Sequence, residues 1–189
     1  HELRTPLTDI HCYTELIRSN GTAENKRHAE SVLQASKRMI TMLNSLLGFF
    51  RLESGKEKMN ITLFRLQSIT DALEAEFRPM AEVKDLKLTV ENDADVILMG
   101  DRERIMQIGG NLLSNAIKYT QAGSVSFRSG YDGKTLALIV EDTGSGMSEE
   151  ERQRVFGEFE RLSNAATQDG FGLGLSIVKR IVDMMHGTI

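Results

Sequence analysis

A two-part α+β fold, a helical hairpin followed by a domain of mixed helices and strands, is predicted by three features of the chain. Up to residue 52, apolar side chains recur at alternating intervals of three and four, the seam of a packed helix pair. From residue 59 onward, short alternating stretches that suit strands are interleaved with amphipathic helical stretches. Between them Glu53-Ser-Gly55-Lys breaks both patterns and reads as a linker. The expected division is therefore a hairpin over 1–52, a linker over 53–58 and a second domain over 59–189.

Each element can be justified in turn. Leu3, Leu7, Ile10, Thr14 and Ile17 lie along one side of a first helix that should end near Asn20-Gly21. Val32, Ala35, Met39, Met42, Leu46 and Phe49 repeat the pattern on a second helix reaching about Leu52. Two such helices cannot enclose a core alone, so a dimeric four-helix bundle is expected, with packing onto the second domain as the alternative. Beyond the linker, residues 60–64 and 86–90 alternate as strands, separated by a helix with Ile69, Leu73, Phe77 and Met80 on one face. Pro79 is expected to kink or shorten that helix. Asp101 can cap a helix whose buried face is Ile105, Ile108, Leu112, Ala116 and Tyr119. Gly123 and Asp132-Gly133 bound two strands over 124–131 and 136–142. Ser148 with Glu151 forms a capping box, and glycines at 170–174 open a last helix carrying Ile177, Val178, Ile181 and Met185.

Composition narrows the function. With 189 residues, 40% hydrophobic and 26% charged, the chain has the means for a sizeable core. Net charge is −4 and no Lys/Arg run exceeds two residues, so the basic stripe of a nucleic-acid binder is missing. The single Cys12 can form neither an internal disulfide nor a zinc site, which fits a reducing compartment and a small helix residue. No apolar run approaches the roughly 18 residues of a membrane span, and no signal peptide opens the chain. A soluble, cytoplasmic piece is expected, meeting a membrane only through parts outside it. It begins on a motif residue and stops at Gly187-Thr188-Ile189, where a strand would start, so missing C-terminal strands are expected.

Four groups of residues carry the chemistry. Asn111, Asn115 and Lys118 recur at four and three, sharing a helix face that is not the apolar one. Amide oxygens are hard ligands for Mg²⁺ and a lysine one turn away can meet phosphates, although such a ridge on its own is usually just a solvated face. Asp142 ends an apolar strand and is followed by Gly144 and Gly146, which let the chain pass close to a ligand. Its carboxylate can accept from an exocyclic amine such as adenine's, or the segment is a plain Asp-Gly type turn. Gly170, Gly172 and Gly174 directly precede a helix, whose free N–H groups and dipole attract phosphate. Neither a P-loop nor a dinucleotide fingerprint explains them. At the other end, His1, Glu2 and Thr5 fall on the outward side of the first helix. A neutral imidazole attacks phosphorus well, and an adjacent carboxylate can orient it and take its proton. Without the residues that follow it, a first-position histidine would instead read as the scar of an affinity tag.

Taken in order, His1-Glu-Leu-Arg-Thr-Pro-Leu7, Asn111-Leu-Leu-Ser-Asn115-Ala-Ile-Lys118-Tyr119, Asp142-Thr-Gly144-Ser-Gly146 and Gly170-Phe-Gly172-Leu-Gly174 resemble the H, N, G1 and G2 boxes of bacterial sensor histidine kinases. The second domain, with Phe156-Gly-Glu-Phe159-Glu-Arg161 between the last two boxes, resembles the ATP-binding domain that these kinases share with Hsp90-type chaperones, type II topoisomerases and mismatch-repair ATPases. The resemblance implies an α/β sandwich binding ATP and Mg²⁺. It implies that Asn115 is the metal ligand with Asn111 close by, and that Asp142 meets adenine. Lys118 and Tyr119 would line the phosphate and adenine sides, Gly144, Gly146, Gly170, Gly172 and Gly174 would shape the pocket, and Arg161 would belong to the nucleotide site. Residues 147–169 would form a mobile lid, with Phe156 and Phe159 either anchoring it or packing in the core. By the same resemblance His1 accepts phosphate, Glu2 assists, and Thr5 helps position water that removes phosphate from a partner regulator.

The implied activity is ATP-dependent autophosphorylation of His1 in a homodimer, then transfer to an aspartate of a response regulator receiver domain, with a phospho-regulator phosphatase activity beside it. One rival is an ATP-hydrolysing clamp of the chaperone or topoisomerase kind. Those relatives carry a glutamate at the position of Asn111, and an asparagine cannot serve as that base. The other rival is a dimeric scaffold that only binds nucleotide.

Overall fold

The computed structural model describes residues 4–53, 58–158, 160 and 172–189. The chain forms two compact units, the first ending at Arg51 and the second beginning at Leu52.

The first unit is a hairpin of α1 (Arg4–Asn20) and α2 (Ala23–Glu53). At the turn the Gly21 N–H donates to the Ile17 carbonyl at 2.7 Å. A Cβ there would lie 2.6 Å from the same oxygen, so the close approach requires glycine. Leu7 and Thr14 of α1 and Ala29, Leu33, Ser36 and Phe49 of α2 are buried, and the Ser36 hydroxyl donates to the Leu7 carbonyl at 3.1 Å. The stripe read on α2 lies mostly outside this intra-hairpin core, on the side left for a partner helix pair. Of Val32, Ala35, Met39, Met42, Leu46 and Phe49 only Phe49 is buried, while Val32, Met39 and Met42 are 44%, 55% and 40% exposed. Helix α2 carries two apolar stripes about one residue apart, and both have heptad spacing. The stripe at 29, 33 and 36 serves the hairpin, and the predicted stripe stays outward, as do Ile10 and Ile17 of α1.

The second unit has the two-layer α+β build that the sequence predicts. Strands β2 (Leu86–Asn92), β4 (Gly123–Tyr131) and β5 (Leu136–Asp142) form one sheet in the order β2-β4-β5. β2 runs parallel to β4, with Leu88 opposite Val125, and β4 runs antiparallel to β5, with Phe127 opposite Val140. A separate ribbon pairs β1 (Thr62–Arg65) with β3 (Ile97–Gly100), a strand that sequence patterning missed because Ile97-Leu-Met-Gly shows no apolar–polar alternation. Helices α3 (Gln67–Val83) and α4 (Arg102–Tyr119) cover one sheet face through Ile69, Leu73, Phe77, Ile105, Leu113 and Ile117, packed against Leu86, Leu88, Val125 and Phe127. Each such side chain contributes about 1.5–3 kcal/mol of burial.

Three expectations for this unit are corrected. Met80 is 48% exposed, and Ala81 fills the buried position instead. Pro79 does not shorten α3, which continues to Val83, because Phe77 and Ala81 on either side are buried and hold the helix through the lost hydrogen bond. On α4 the inward positions are Leu113 and Ile117 rather than Leu112 and Tyr119. This face follows a four-residue ridge from Ile105 through Gly109 to Leu113, and Gly109 admits the close approach of Leu73 and Phe127. Among the described residues the unit also has two short helices, α5 (Glu149–Arg154) with its predicted Ser148–Glu151 capping box, and α6 (Gly174–Met184), which packs on α4 through an apolar face with Ile177, Val178 and Ile181 buried.

Candidate functional site

Helix α4 is the spine of the site. Its N-terminus is set by Asp101, 3% exposed, whose Oδ1 accepts from the Arg104 N–H at 3.1 Å as an N-cap. Its Oδ2 accepts from the Asn60 N–H at 2.9 Å, so one carboxylate ties the segment entering β1 to the start of α4.

Two turns on, the Asn111 side-chain N–H donates to the Gln107 carbonyl at 2.9 Å. That bond fixes the amide, since only the nitrogen can donate, and leaves Oδ1 free to face outward. What it faces is Gly174, the first residue of α6. A methyl group at 174 would lie 3.2 Å from Asn111 Oδ1 and 3.7 Å from Asn115 Nδ2. Leu173, at the N-cap of α6, supplies no side-chain acceptor. The first-turn N–H groups have no partner within the helix, so a donor-rich, dipole-positive end stands against two amides. Gly172, just before it, has φ of +70°, a left-handed conformation that glycine adopts without strain.

At the far end of α4 lie Lys118 and Tyr119. The Lys118 ammonium donates to the Tyr119 hydroxyl at 3.0 Å and sits 4.6 Å from the ring centroid, a cation–π pair. Asp142, exposed at the end of β5, accepts on Oδ1 from the Gly144 N–H at 2.9 Å. A Cβ on Gly144 would stand 2.8 Å from both Asp142 Oδ1 and the Tyr119 carbonyl, so this turn is pressed against the last turn of α4 and only glycine fits. Gly146 follows at φ +66°. The structure thus brings Asn111, Asn115 and Gly174 together at one end, and Tyr119, Asp142 and Gly144 at the other.

Lys84 was not legible as part of this site. It caps α3, and its ammonium donates to the carbonyls of Ile117, Lys118 and Thr120 at 2.8, 2.9 and 3.2 Å. No local spacing signals a contact made across more than thirty residues. After α5, Glu158 pairs with Arg180 of α6 at 2.9 Å, and Glu160 pairs with Arg154 at 2.8 Å. An apolar groove of about 720 Å³, lined by Pro79, Met80, Val83 and Lys84 along with Ser114 and Lys118, runs between α3 and α4 and includes none of the glycines or Asp142.

His1, Glu2, Phe159, Arg161 and Gly170 lie outside the described residues. Thr5 falls within α1, but its side chain is likewise outside the description. Among the described residues no group of three His, Cys, Asp or Glu side chains could hold a metal ion, and no helix is long and apolar enough to cross a membrane.

Residues 1–55 match the family described as His Kinase A (phospho-acceptor) domain. Residues 100–189 match the family described as histidine kinase-, DNA gyrase B-, and HSP90-like ATPase. The chain is 33% identical over its whole length to the autoinducer 2 sensor kinase/phosphatase LuxQ of Vibrio parahaemolyticus, and 32% identical to the sensor protein GacS of Pseudomonas syringae. It spans 23% and 22% of those proteins' lengths. Among solved structures, full-length ShkA in complex with AMPPNP superposes with a TM-score of 0.87 at 27% identity, covering all of this chain and 40% of ShkA.

Proposed function

Because this chain belongs to the sensor histidine kinase family, we propose that it binds ATP on its second unit, transfers the γ-phosphoryl group to His1 and passes it to an aspartate of a response regulator. The single observation that carries the nucleotide part is the convergence of Asn111 and Asn115 on the N-terminus of α6 at Gly174. ATP would extend along α4, its phosphates at that end and its adenine at Asp142. The Oδ1 of Asp142 is occupied by the Gly144 N–H, which leaves Oδ2 to accept from the exocyclic amine of adenine.

The donor set fits Mg²⁺. Asn side-chain oxygens are hard donors, and that ion completes its shell with water and substrate phosphates. Asn115 and Asn111 would hold it, and when bound it neutralises the charge of the phosphates. Lys118, one turn beyond Asn115, adds a second positive charge on that side, and the α6 N–H groups bind the phosphate oxygens.

In the transfer step an imidazole nitrogen of His1 forms a bond to the γ-phosphorus while the bond to the β,γ-bridging oxygen breaks and ADP leaves. Glu2 receives the ring proton. Asn111 stands where the hydrolysing relatives of this fold carry a glutamate, so the site lacks a base for water, which favours transfer over hydrolysis. Residues 1–52 are the dimerisation and phosphotransfer hairpin, 53–58 the linker and 59–189 the ATP-binding domain in this reading. The outward apolar stripe of Val32, Met39 and Met42 supports a homodimer, whose four-helix bundle would cover it. The partner is a receiver domain, the location cytoplasmic, and Thr5 serves removal of phosphate from the regulator. Incubation of an upstream-extended chain with γ-labelled ATP tests the whole reading: acid-labile, alkali-stable phosphate on the protein is the expected result, and its absence with intact ATP binding leaves only a nucleotide-binding scaffold.

A further inference from the structure

We infer that Lys84 is a positioning residue of the nucleotide site, which holds the last turn of α4 so that Lys118 and Tyr119 are presented to ATP; this rests on the ATP reading above. The last four carbonyls of a helix have no partner within it, and they carry the negative end of its dipole. In α4 those groups are held from two sides. Lys84 donates to the carbonyls of Ile117, Lys118 and Thr120, and the remaining carbonyl of that strip, Tyr119, is the one pressed against Gly144. The ammonium thus grips the peptide units that carry the two side chains, and the adenine-side turn closes on the same strip from the other face.

Stopping the helix does not require this lysine. The Thr120 N–H and its hydroxyl both donate to the Ala116 carbonyl, and Thr120 is fully buried, so α4 has an end of its own. What Lys84 adds is a positive charge on the negative end of the α4 dipole, and a fixed direction for residues 118 and 119. Without it the peptide units of residues 117 and 118 lose their outer anchor, and each bound nucleotide must order the two side chains again.

A double-mutant cycle read by ATP-binding calorimetry tests this, using the wild-type chain, Lys84→Met, Lys118→Met and the double variant. Lys84→Met alone is expected to weaken ATP binding about 10-fold, the low end for loss of hydrogen bonds to a charged group, and Lys84→Arg to recover most of it. In the Lys118→Met background the same change should cost less than about 3-fold, because the side chain it positions is gone. A role confined to stability would lower the melting temperature with strictly additive effects on affinity, and additivity overturns the inference. So does undiminished ATP binding by Lys84→Met. A wild-type chain that binds no ATP overturns the ATP reading and this inference together, which separates the two failures. Should Lys84→Met fail to fold, Lys84→Gln, which is polar but uncharged and one bond too short to reach all three carbonyls, carries the same cycle to the same outcomes.

Discussion

Gly174 and Asn111 stand so close that a methyl group on the glycine would lie 3.2 Å from the asparagine's side-chain oxygen. The start of α6 and the polar ridge of α4 therefore share one small space, and the missing side chain at 174 keeps it open. A negatively charged ligand would meet the helix N–H groups there, and a cation accompanying it would meet the amide oxygens.

Gly174→Val fills that space. The new side chain would crowd Asn111 and Asn115 without entering the core, so the fold should persist while affinity for Mg²⁺-ATP falls by about 10-fold or more. Titration with a fluorescent ATP analogue, beside a circular dichroism melt, checks both halves. Unchanged affinity would remove the α6 end from the site.

Asp142→Asn should weaken ATP binding by about 1.5–3 kcal/mol, the usual scale for a hydrogen bond to a charged group, with the domain still folded. GTP should not compete in the wild-type chain, since its base presents a carbonyl where adenine presents an amine. Equal binding of both nucleotides would show that Asp142 does not read the base.

On the helical hairpin, Val32→Glu together with Met39→Glu should convert a dimer to a monomer that remains helical, because both side chains are exposed in the hairpin itself. Leu33→Glu, by contrast, should unfold the hairpin, since Leu33 is buried within it. Light scattering and circular dichroism distinguish the two. A persistent dimer in the first variant would place the partner elsewhere.

His1→Gln in an upstream-extended chain should abolish phosphate incorporation and leave ATP affinity nearly unchanged, as binding is assigned to the second unit. Continued labelling would move the phosphate acceptor to another residue.

Thr5→Ala separates the two proposed reactions. Autophosphorylation should continue at close to the normal rate, whereas dephosphorylation of a purified phospho-regulator in the presence of ADP and Mg²⁺ should slow by about 10-fold or more if the hydroxyl positions water. Equal loss of both activities would mean that Thr5 supports the helix, and loss of neither would take it out of the site.

The elements that sequence patterning located are those whose burial is strong and local. The strands over 124–131 and 136–142 and the Asp101 cap fall within a residue of their structural positions. The faces are harder. Leu112 and Leu113 differ by one position, both are leucine, and only packing against α3 and the sheet decides which is fully buried. Helix α2 poses the same problem twice, since two adjacent apolar stripes obey one periodicity. For the candidate site, Asn111, Asn115 and Gly174 were legible because polar residues and glycines in that order stand out from the apolar pattern around them. The ammonium of Lys84 was not, because a lysine at the end of a helix is ordinary until its carbonyl partners are seen.

The parallel pairing of β2 with β4 places α4 inside the crossover between them. Parallel neighbours need a long connection, and its closure entropy must be met before their ladder forms. The helix that carries the asparagines is thus trapped in the slow, non-local part of the folding reaction. ATP then has no fragment to bind on the way. It meets the finished domain alone, so nucleotide should slow unfolding and leave the refolding rate almost untouched.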